Sequence, residues 1–249
     1  MSPTKYEIIN KAGVFQAKDH SKQELVSALM ITKGDINLIS KSIKIFSDQT
    51  WRNKELCIVS RKTDDDYTIK GTLEKASINF QLKFISEDLS LGNMRNISMS
   101  IANGSYACTW DDDDLYASSR ISTMMEAIRQ SNTVASFLKQ VILYYPAQNK
   151  MAISRARVWE NTMIVKRSCA PAYQDINRGE DSSFVKNLMR HHEIALVDDP
   201  GQYAYVRTGM NTVGEEHFSN LFHRAEKQFN RELTKELLSN FPCFKCISA

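Results

Sequence analysis

Apolar residues fall along this chain in short bursts separated by polar stretches with helical spacing. Leu25 to Thr32 (Leu-Val-Ser-Ala-Leu-Met-Ile-Thr) is an apolar run closed by Lys33-Gly34-Asp35, the pattern of a buried strand ending in a turn. Ile36, Ile39, Ile43 and Phe46 then recur at helical spacing, and Glu55 to Ser60 is a second burst before the polar stretch Arg61 to Asp66. The alternation continues with a strand over Phe80 to Ile85, a helix over Asn93 to Ala102, a strand over Ser105 to Trp110 and a helix over Ser118 to Ile128. Strands joined through helices build a parallel sheet covered on both faces, whose ligands sit at the carboxyl ends of the strands.

The second half is less regular. Met151 to Arg157, Thr162 to Lys166, Glu193 to Val197 and Tyr203 to Arg207 read as strands, and Asp181 to His191 as a helix. His217 to Phe241 reads as helical, with Phe218, Leu221, Phe222, Ala225, Phe229, Leu233 and Leu237 on one stripe. Such a stripe packs on its own domain, pairs with another chain or lies on a membrane surface, and packing is the reading we take. No internal repeat or Pro/Gly-rich linker divides the chain, so one two-part domain is expected, with an extension over 1–24 and a C-terminal helix and tail over 221–249.

Composition narrows the function classes. With 42% hydrophobic and 24% charged residues in 249, the chain is an ordinary globular protein, and its formal charge of +3 is too small for a nucleic-acid binder. The apolar run Val141 to Ala147 falls far short of the roughly 20 residues that span a bilayer, and residues 1–24 lack the apolar segment of a signal peptide. Five cysteines, with Cys57 and Cys108 inside apolar runs, fit a reducing cytoplasm, with peripheral membrane contact left open. Cys243 and Cys246 form one Cys-x-x-Cys without a second ligand pair at zinc spacing.

The chemistry concentrates between residues 92 and 114. Asp111-Asp112-Asp113-Asp114 directly follows an apolar strand. In extended backbone Asp111 and Asp113 face one side while Asp112 points away, and two such carboxylates repel unless a cation lies between them. Mg²⁺ or Mn²⁺, which take oxygen ligands and keep positions open for phosphates, suit that arrangement, while a solvated acidic turn is the plainer alternative. An EF-hand is excluded, because Tyr116 and Ser122 stand where its Gly and Glu belong.

Gly92-x-x-Arg95-Asn96, Ala102-x-Gly104-x-Tyr106 and Asp111-x-Asp113-Asp114 together resemble the ordered signature of family-two glycosyltransferases with the GT-A fold. The resemblance runs over about residues 25 to 220, and includes Trp159-Glu160-Asn161-Thr162, Arg178-Gly179-Glu180-Asp181 and Asn211-Thr212…His217-Phe218. It implies an α/β, Rossmann-like sheet with a nucleotide half to about residue 115 and an acceptor half after it. It further implies a metal-dependent, inverting transfer of sugar from a nucleotide-diphospho-sugar, a UDP-sugar, to a glycan, lipid-linked or protein acceptor.

Residue by residue, the resemblance makes Asp113 the metal ligand, assisted by Asp111, and places Thr32, Asp64 or Asp65, Arg95, Asp111 and Asp112 around the nucleotide. The chain departs from the family in carrying Ser60-Arg61-Lys62-Thr63 before its acids, where an Asp-Asp-x-Ser turn is usual. Asp181, with Glu180 as the nearby alternative, matches the acid pair that supplies the base; an acid at a helix start is otherwise a cap. His217 falls in a segment that returns to the metal or diphosphate, although a lone His beside Phe218 is otherwise structural. Trp110 and Trp159 are candidates for sugar stacking or for the core. Two rival classes remain at this stage. Nucleotidyl transfer is disfavoured because Lys33-Gly34-Asp35 is too short for a phosphate loop, and a fold-retaining binding protein without turnover is disfavoured by the intact Asp111, Asp113 and Asp181.

Overall fold

The computed structural model describes residues 5–9, 23–62, 66–209, 211, 214–238 and 244. Asp64, Asp65, Thr212, Cys243 and Cys246 lie outside them. In chain order the elements are β1 (Lys5–Ile9), β2 (Val26–Thr32), α1 (Ile36–Ser47), β3 (Lys54–Arg61), α2 (Asp66–Lys75), β4 (Phe80–Ile85), α3 (Leu91–Ile101) and β5 (Tyr106–Thr109). There follow β6 (Leu115–Tyr116), α4 (Arg120–Ser131), β7 (Ala135–Leu138), β8 (Ile142–Tyr145), β9 (Lys150–Ile153) and β10 (Trp159–Lys166). The chain then forms α5 (Glu180–His191), β11 (Ile194–Asp198), β12 (Tyr203–Val206), α6 (Glu215–His223), β13 (Lys227–Phe229) and α7 (Arg231–Leu238).

The main sheet has eight strands in the order β1-β11-β7-β10-β5-β2-β3-β4. β5, β2, β3 and β4 run parallel, which is what the predicted strand–helix alternation requires. Val26, Ala28, Met30, Leu56 and Ile58 are fully buried, so these central strands are covered on both faces and read as continuous apolar runs rather than alternating ones. Asp35 starts α1 by accepting the Asn37 and Leu38 amides at 2.9 and 3.2 Å, and α1 buries Ile39, Ile43 and Phe46, the stripe seen in the sequence.

The sheet is not wholly parallel. β10 lies antiparallel between β5 and β7, because it arrives from β9 through the short stretch 154–158 without a crossover helix. A second sheet, β13-β9-β8-β12-β6, contains strands that the sequence pattern did not announce. β1, within the expected N-terminal extension, pairs antiparallel with β11 at the edge of the main sheet.

The predicted continuous helix over His217 to Phe241 is corrected. α6 stops at His223, and Lys227 to Phe229 pairs with Met151 to Ile153 as β13 before α7 begins. The free edge of β9 has backbone groups to satisfy, and Phe229 becomes buried by pairing there, so the ladder prevails over helical periodicity. Asn230 then restarts the helix, its side-chain oxygen accepting the Leu233 amide at 2.8 Å. Phe218 packs among Tyr145, Tyr205 and Phe222, so this part of the stripe is core. Among the described residues no helix is long and apolar enough to cross a membrane.

Candidate active site

The carboxyl ends of β2 and β5 bring Thr32 beside the acidic run. After Thr109 the chain buries Trp110, whose indole donates to Ser42 Oγ at 2.9 Å, and then turns. The four acids occupy that turn rather than extended strand, so the expected alternation gives way to four carboxylates with different surroundings. Asp112 accepts the Thr32 hydroxyl at 2.5 Å, and Asp113 accepts the Asn211 amide at 2.8 Å. Asp114 is buried, taking the Tyr203 hydroxyl and the Val206 amide. The Asp111 backbone is tied to the Tyr116 hydroxyl, its amide donating at 2.6 Å. Beneath the turn Arg120 is fully buried against the Trp110 and Tyr116 rings and donates to the carbonyls of Thr109 and Thr162, fastening β5 to β10.

Burial and mutual repulsion raise the acids. Asp112 is pushed up to about 6, by desolvation first and Asp111 next, against the Thr32 hydrogen bond. Asp113 is pushed up to about 7 by desolvation, Asp111 and Asp112. A native carboxylate raised above its unfolded value binds more protons folded than unfolded, so the metal-free protein loses stability as pH rises from about 4 through 7. Denaturant unfolding at pH 5.5 and pH 8 in chelator is expected to give the higher stability at pH 5.5. Higher stability at pH 8 would contradict this description of the turn.

The Gly-x-x-Arg-Asn motif holds a second chain segment in place. A side chain at Gly92 would sit 1.8 Å from the Gln174 carbonyl oxygen, so only glycine allows α3 to meet the 173–177 stretch. The Gly92 amide donates to Ile176 O at 3.1 Å, and Asn96 exchanges hydrogen bonds with the Tyr173 backbone at 2.8 and 2.9 Å. That segment leads through Gly179, at φ 78°, into α5, whose first two residues are Glu180 and Asp181. Arg95 meets both, at 3.1 Å to Glu180 Oε1 and 3.9 Å to Asp181 Oδ2. Gly104 is equally constrained, its amide donating to Ser27 Oγ and Glu55 Oε1 where a side chain would strike Leu25 O at 2.6 Å. These residues of the signature are positioning devices.

Gly92→Ala is expected to displace the 173–177 segment, costing about 1–3 kcal/mol as overpacked sites do. Activity should fall further than stability alone explains, since the start of α5 moves with that segment. Chemical denaturation beside steady-state rates checks this, and a variant of unchanged stability and rate would remove the clamp from the account.

Arg95 separates the two acids of α5. Glu180 is buried and pushed up to about 7, by desolvation and then by Asp181. Asp181 is held below the usual range: burial opposes this, but Arg95 and the Glu180 hydrogen bond overcome it. Its side chain is 29% exposed, so it is an accessible, ionised carboxylate. Arg95 is also in the field of Asp111, and so joins the acidic turn to the start of α5.

The structure thus brings Thr32, Asp111, Asp112 and Asp113 together beyond β2 and β5, and Arg95 of α3 contacts Glu180 and Asp181 at the start of α5. His217 is exposed on α6, and among the described residues no group of three or more His, Cys, Asp or Glu side chains converges as a preformed metal cage. Asn211, four residues beyond Arg207, does return to the turn. Trp110 and Trp159 are both core, at 0% and 2% exposure. Tyr203 and Arg120 have no cue in the sequence, because a Tyr in an apolar strand and an Arg opening a helix carry no spacing signal. Glu160, which accepts from Ser182 Oγ of α5 at 3.1 Å, had its cue in the Trp-Glu-Asn-Thr stretch.

Solved structures share this fold. S. aureus TarS 1-349 in complex with UDP superposes with a TM-score of 0.60 at 14% identity, over 88% of this chain and 70% of that one. The mannosyltransferase PcManGT from Pyrobaculum calidifontis, in complex with GDP-Man and Mn²⁺, gives 0.62 at 12% identity, over 80% and 60%. GalNAc-T7 with UDP, GalNAc and Mn²⁺ gives 0.62 at 9% identity, over 76% and 45%. The fold is therefore GT-A. No curated protein sequence matches the chain. The model of the family described as "Glycosyl transferase family 2" matches residues 27–168, and with that match over more than half its length this chain belongs to the family-two glycosyltransferases.

Proposed function

We propose that this glycosyltransferase moves a sugar from a UDP-sugar to an acceptor hydroxyl, with a divalent metal at the acidic turn and with inversion at the anomeric carbon. The observation that carries the reading is Arg95, whose guanidinium contacts Glu180 and Asp181 and acts electrostatically on Asp111. Donor-side acids and a candidate base are thereby held in one frame by a single buried side chain. Complexes of similar folds with UDP, GDP-Man and Mn²⁺ support the donor class and the metal.

Asp113, with Asp111 and His217, would hold Mn²⁺ or Mg²⁺. The donor set fits such an ion, since its carboxylates are raised by burial and by each other and a hard cation relieves both costs. When bound, the metal supplies electrostatic stabilisation of the departing diphosphate. Thr32 and Asp112, hydrogen-bonded to each other, would line the nucleotide pocket with Arg95, and Asp64 or Asp65, outside the described residues, would be the further pocket acid.

Asp181 is the base. It is ionised and partly exposed, whereas Glu180 is buried on Arg95 Nε and tends to keep its proton. Asp181 therefore accepts the hydroxyl proton as the acceptor oxygen attacks C1, and Glu180 fixes the guanidinium that keeps its neighbour charged. A base of low proton affinity acts late, once bond formation has made the hydroxyl acidic.

Thermal unfolding with UDP, GDP, CDP or dTDP, each with Mn²⁺ or with chelator, tests the reading. At a nucleotide concentration one hundred times Kd, binding adds about 2.7 kcal/mol, on the order of 5–10 °C in Tm for a domain of this size. UDP with Mn²⁺ is expected to give that rise and UDP with chelator to give much less. A rise with another nucleotide would replace the donor, and no rise with any would favour a fold that binds no donor.

A further inference from the structure

Asp113, the acid assigned to the metal, has a partner whose own orientation is forced by its neighbours. Asn211 donates from Nδ2 to Asp113 Oδ2 at 2.8 Å and to the Val206 carbonyl at 2.9 Å. Its Oδ1 accepts the Thr208 amide at 3.0 Å, the Thr208 hydroxyl at 3.2 Å and the Arg207 guanidinium at 3.1 Å. A backbone N–H and a guanidinium only donate, and a backbone carbonyl only accepts, so the side-chain amide cannot be reversed end for end. Both amide hydrogens and the amide oxygen are thereby committed. Asn211 has no oxygen to offer a cation; it presents one hydrogen to one oxygen of Asp113.

The segment that carries Asn211 is itself fastened. The Val206 amide donates to Asp114 Oδ1 at 2.9 Å, and the Tyr203 hydroxyl donates to Asp114 Oδ2. The Arg207 amide donates to Tyr144 O of β8 at 2.8 Å, which ties the end of β12 into the second sheet. Neighbouring acids of the turn are therefore held by neighbouring parts of one segment, 203–211. Asp114 is buried and has both oxygens engaged by it, whereas the bond from Asn211 falls on a single oxygen of Asp113. A carboxylate pinned through one oxygen is restrained about its last side-chain bond, and a cation with strict geometry needs that restraint in a ligand.

We propose that Asn211 is a positioning residue for the metal, its amide locking the Asp113 carboxylate in the orientation that a small octahedral cation requires. The proposal rests on the reading of Asp113 as a metal ligand, and adds to it a residue that discriminates among cations. Mg²⁺ demands near-ideal octahedral geometry, whereas Ca²⁺ accepts larger and more flexible ligand shells. Loss of the restraint therefore costs Mg²⁺ more than Ca²⁺, while a general loosening of the turn costs both alike.

Equilibrium dialysis with labelled UDP tests it, by measuring the concentration of Mg²⁺ or Ca²⁺ that gives half-maximal retention of the nucleotide. In Asn211→Leu, which keeps the size of the side chain without its hydrogen bonds, half-maximal Mg²⁺ should rise about 10–100-fold, as when the hydrogen-bond partner of a metal ligand is removed. Half-maximal Ca²⁺ should rise no more than about threefold. Circular dichroism in chelator checks folding first, and Asn211→Ala, which leaves space for a water, is measured in the same way should the leucine variant not fold. An unchanged Mg²⁺ requirement would overturn the proposal, and so would an equal loss for both cations, which marks a merely structural side chain. Failure of Ca²⁺ to retain UDP in both proteins would overturn it too, because the discrimination would then outlast Asn211. Wild type and Asp113→Ala are read beside the variant. Wild-type protein that retains no UDP, retains it equally in chelator, or has the same Mg²⁺ requirement as Asp113→Ala would refute the metal reading itself. Retention that depends on Mg²⁺ and on Asp113 but not on Asn211 refutes only the positioning role.

Discussion

Asp181→Asn is expected to lower kcat for sugar transfer by about 10²–10⁴-fold, the range that a positioned general base contributes, while leaving donor affinity near that of the wild type. The substitution keeps size and shape at the second residue of α5 but removes an ionised, partly exposed carboxylate beside Arg95. Glu180 does not substitute for it, being buried and engaged with Arg95 Nε. The pH profile supplies a sign. Because Asp181 lies below the usual carboxylate range, the wild-type rate should not acquire an acid limb from this residue until pH falls below about 4, the ordinary value for Asp. Arg95→Met removes the guanidinium that depresses it and should move that limb toward neutral pH. Steady-state rates from pH 4.5 to 8 check both statements. An Asp181→Asn enzyme working within a few-fold of the wild type would transfer the role of base to another group.

Asp113→Ala should abolish most metal-dependent turnover, by about 10²–10³-fold, since the metal stabilises charge that develops only as the sugar–phosphate bond breaks. Its effect on stability should have the opposite sign. Asp113 is pushed up to about 7 by burial and by Asp111 and Asp112, so in chelator at pH 8 its ionised form is a liability to the fold. The variant is therefore expected to unfold at a higher denaturant concentration than the wild type in chelator at pH 8, and to gain less from Mn²⁺. A merely structural carboxylate would give the reverse, because its removal would cost one of the two hydrogen bonds that the Asn211 amide donates, with no compensating relief. The combination of greater stability and lost turnover distinguishes a ligand-binding acid from a packing one.

The first half of the chain is legible in the sequence because its strands are buried on both faces and its helices carry regular stripes. Val26 to Thr32 and Ile36 to Phe46 announce themselves through continuous and 3.6-spaced apolar residues. The second sheet was less so. β6 and β13 have two and three residues, too few for any period, and β13 lies within a stripe that also satisfies a helix. What decides between those readings is the open edge of β9, which is distant in sequence. The turn at Asp111 to Asp114 shows a similar limit. The acids are obvious in sequence, but their partners Thr32, Tyr203 and Asn211 come from three different segments. Arg95 was anticipated beside the nucleotide, and its contacts with Glu180 and Asp181 add a link across the site that no local pattern encodes.

The account's central claim is that donor cleavage occurs at the acidic turn, and release of nucleoside diphosphate tests it most directly. UDP-, GDP-, CDP- and dTDP-sugars are offered in turn to the wild type and to Asp113→Ala, with Mn²⁺ or chelator, and the freed nucleotide is measured. The account predicts release from UDP-sugars by the wild type, suppressed by chelator and reduced about 10²-fold or more in Asp113→Ala. Release that is indifferent to chelator and to Asp113→Ala, or no release from any of the four donor classes, would contradict it.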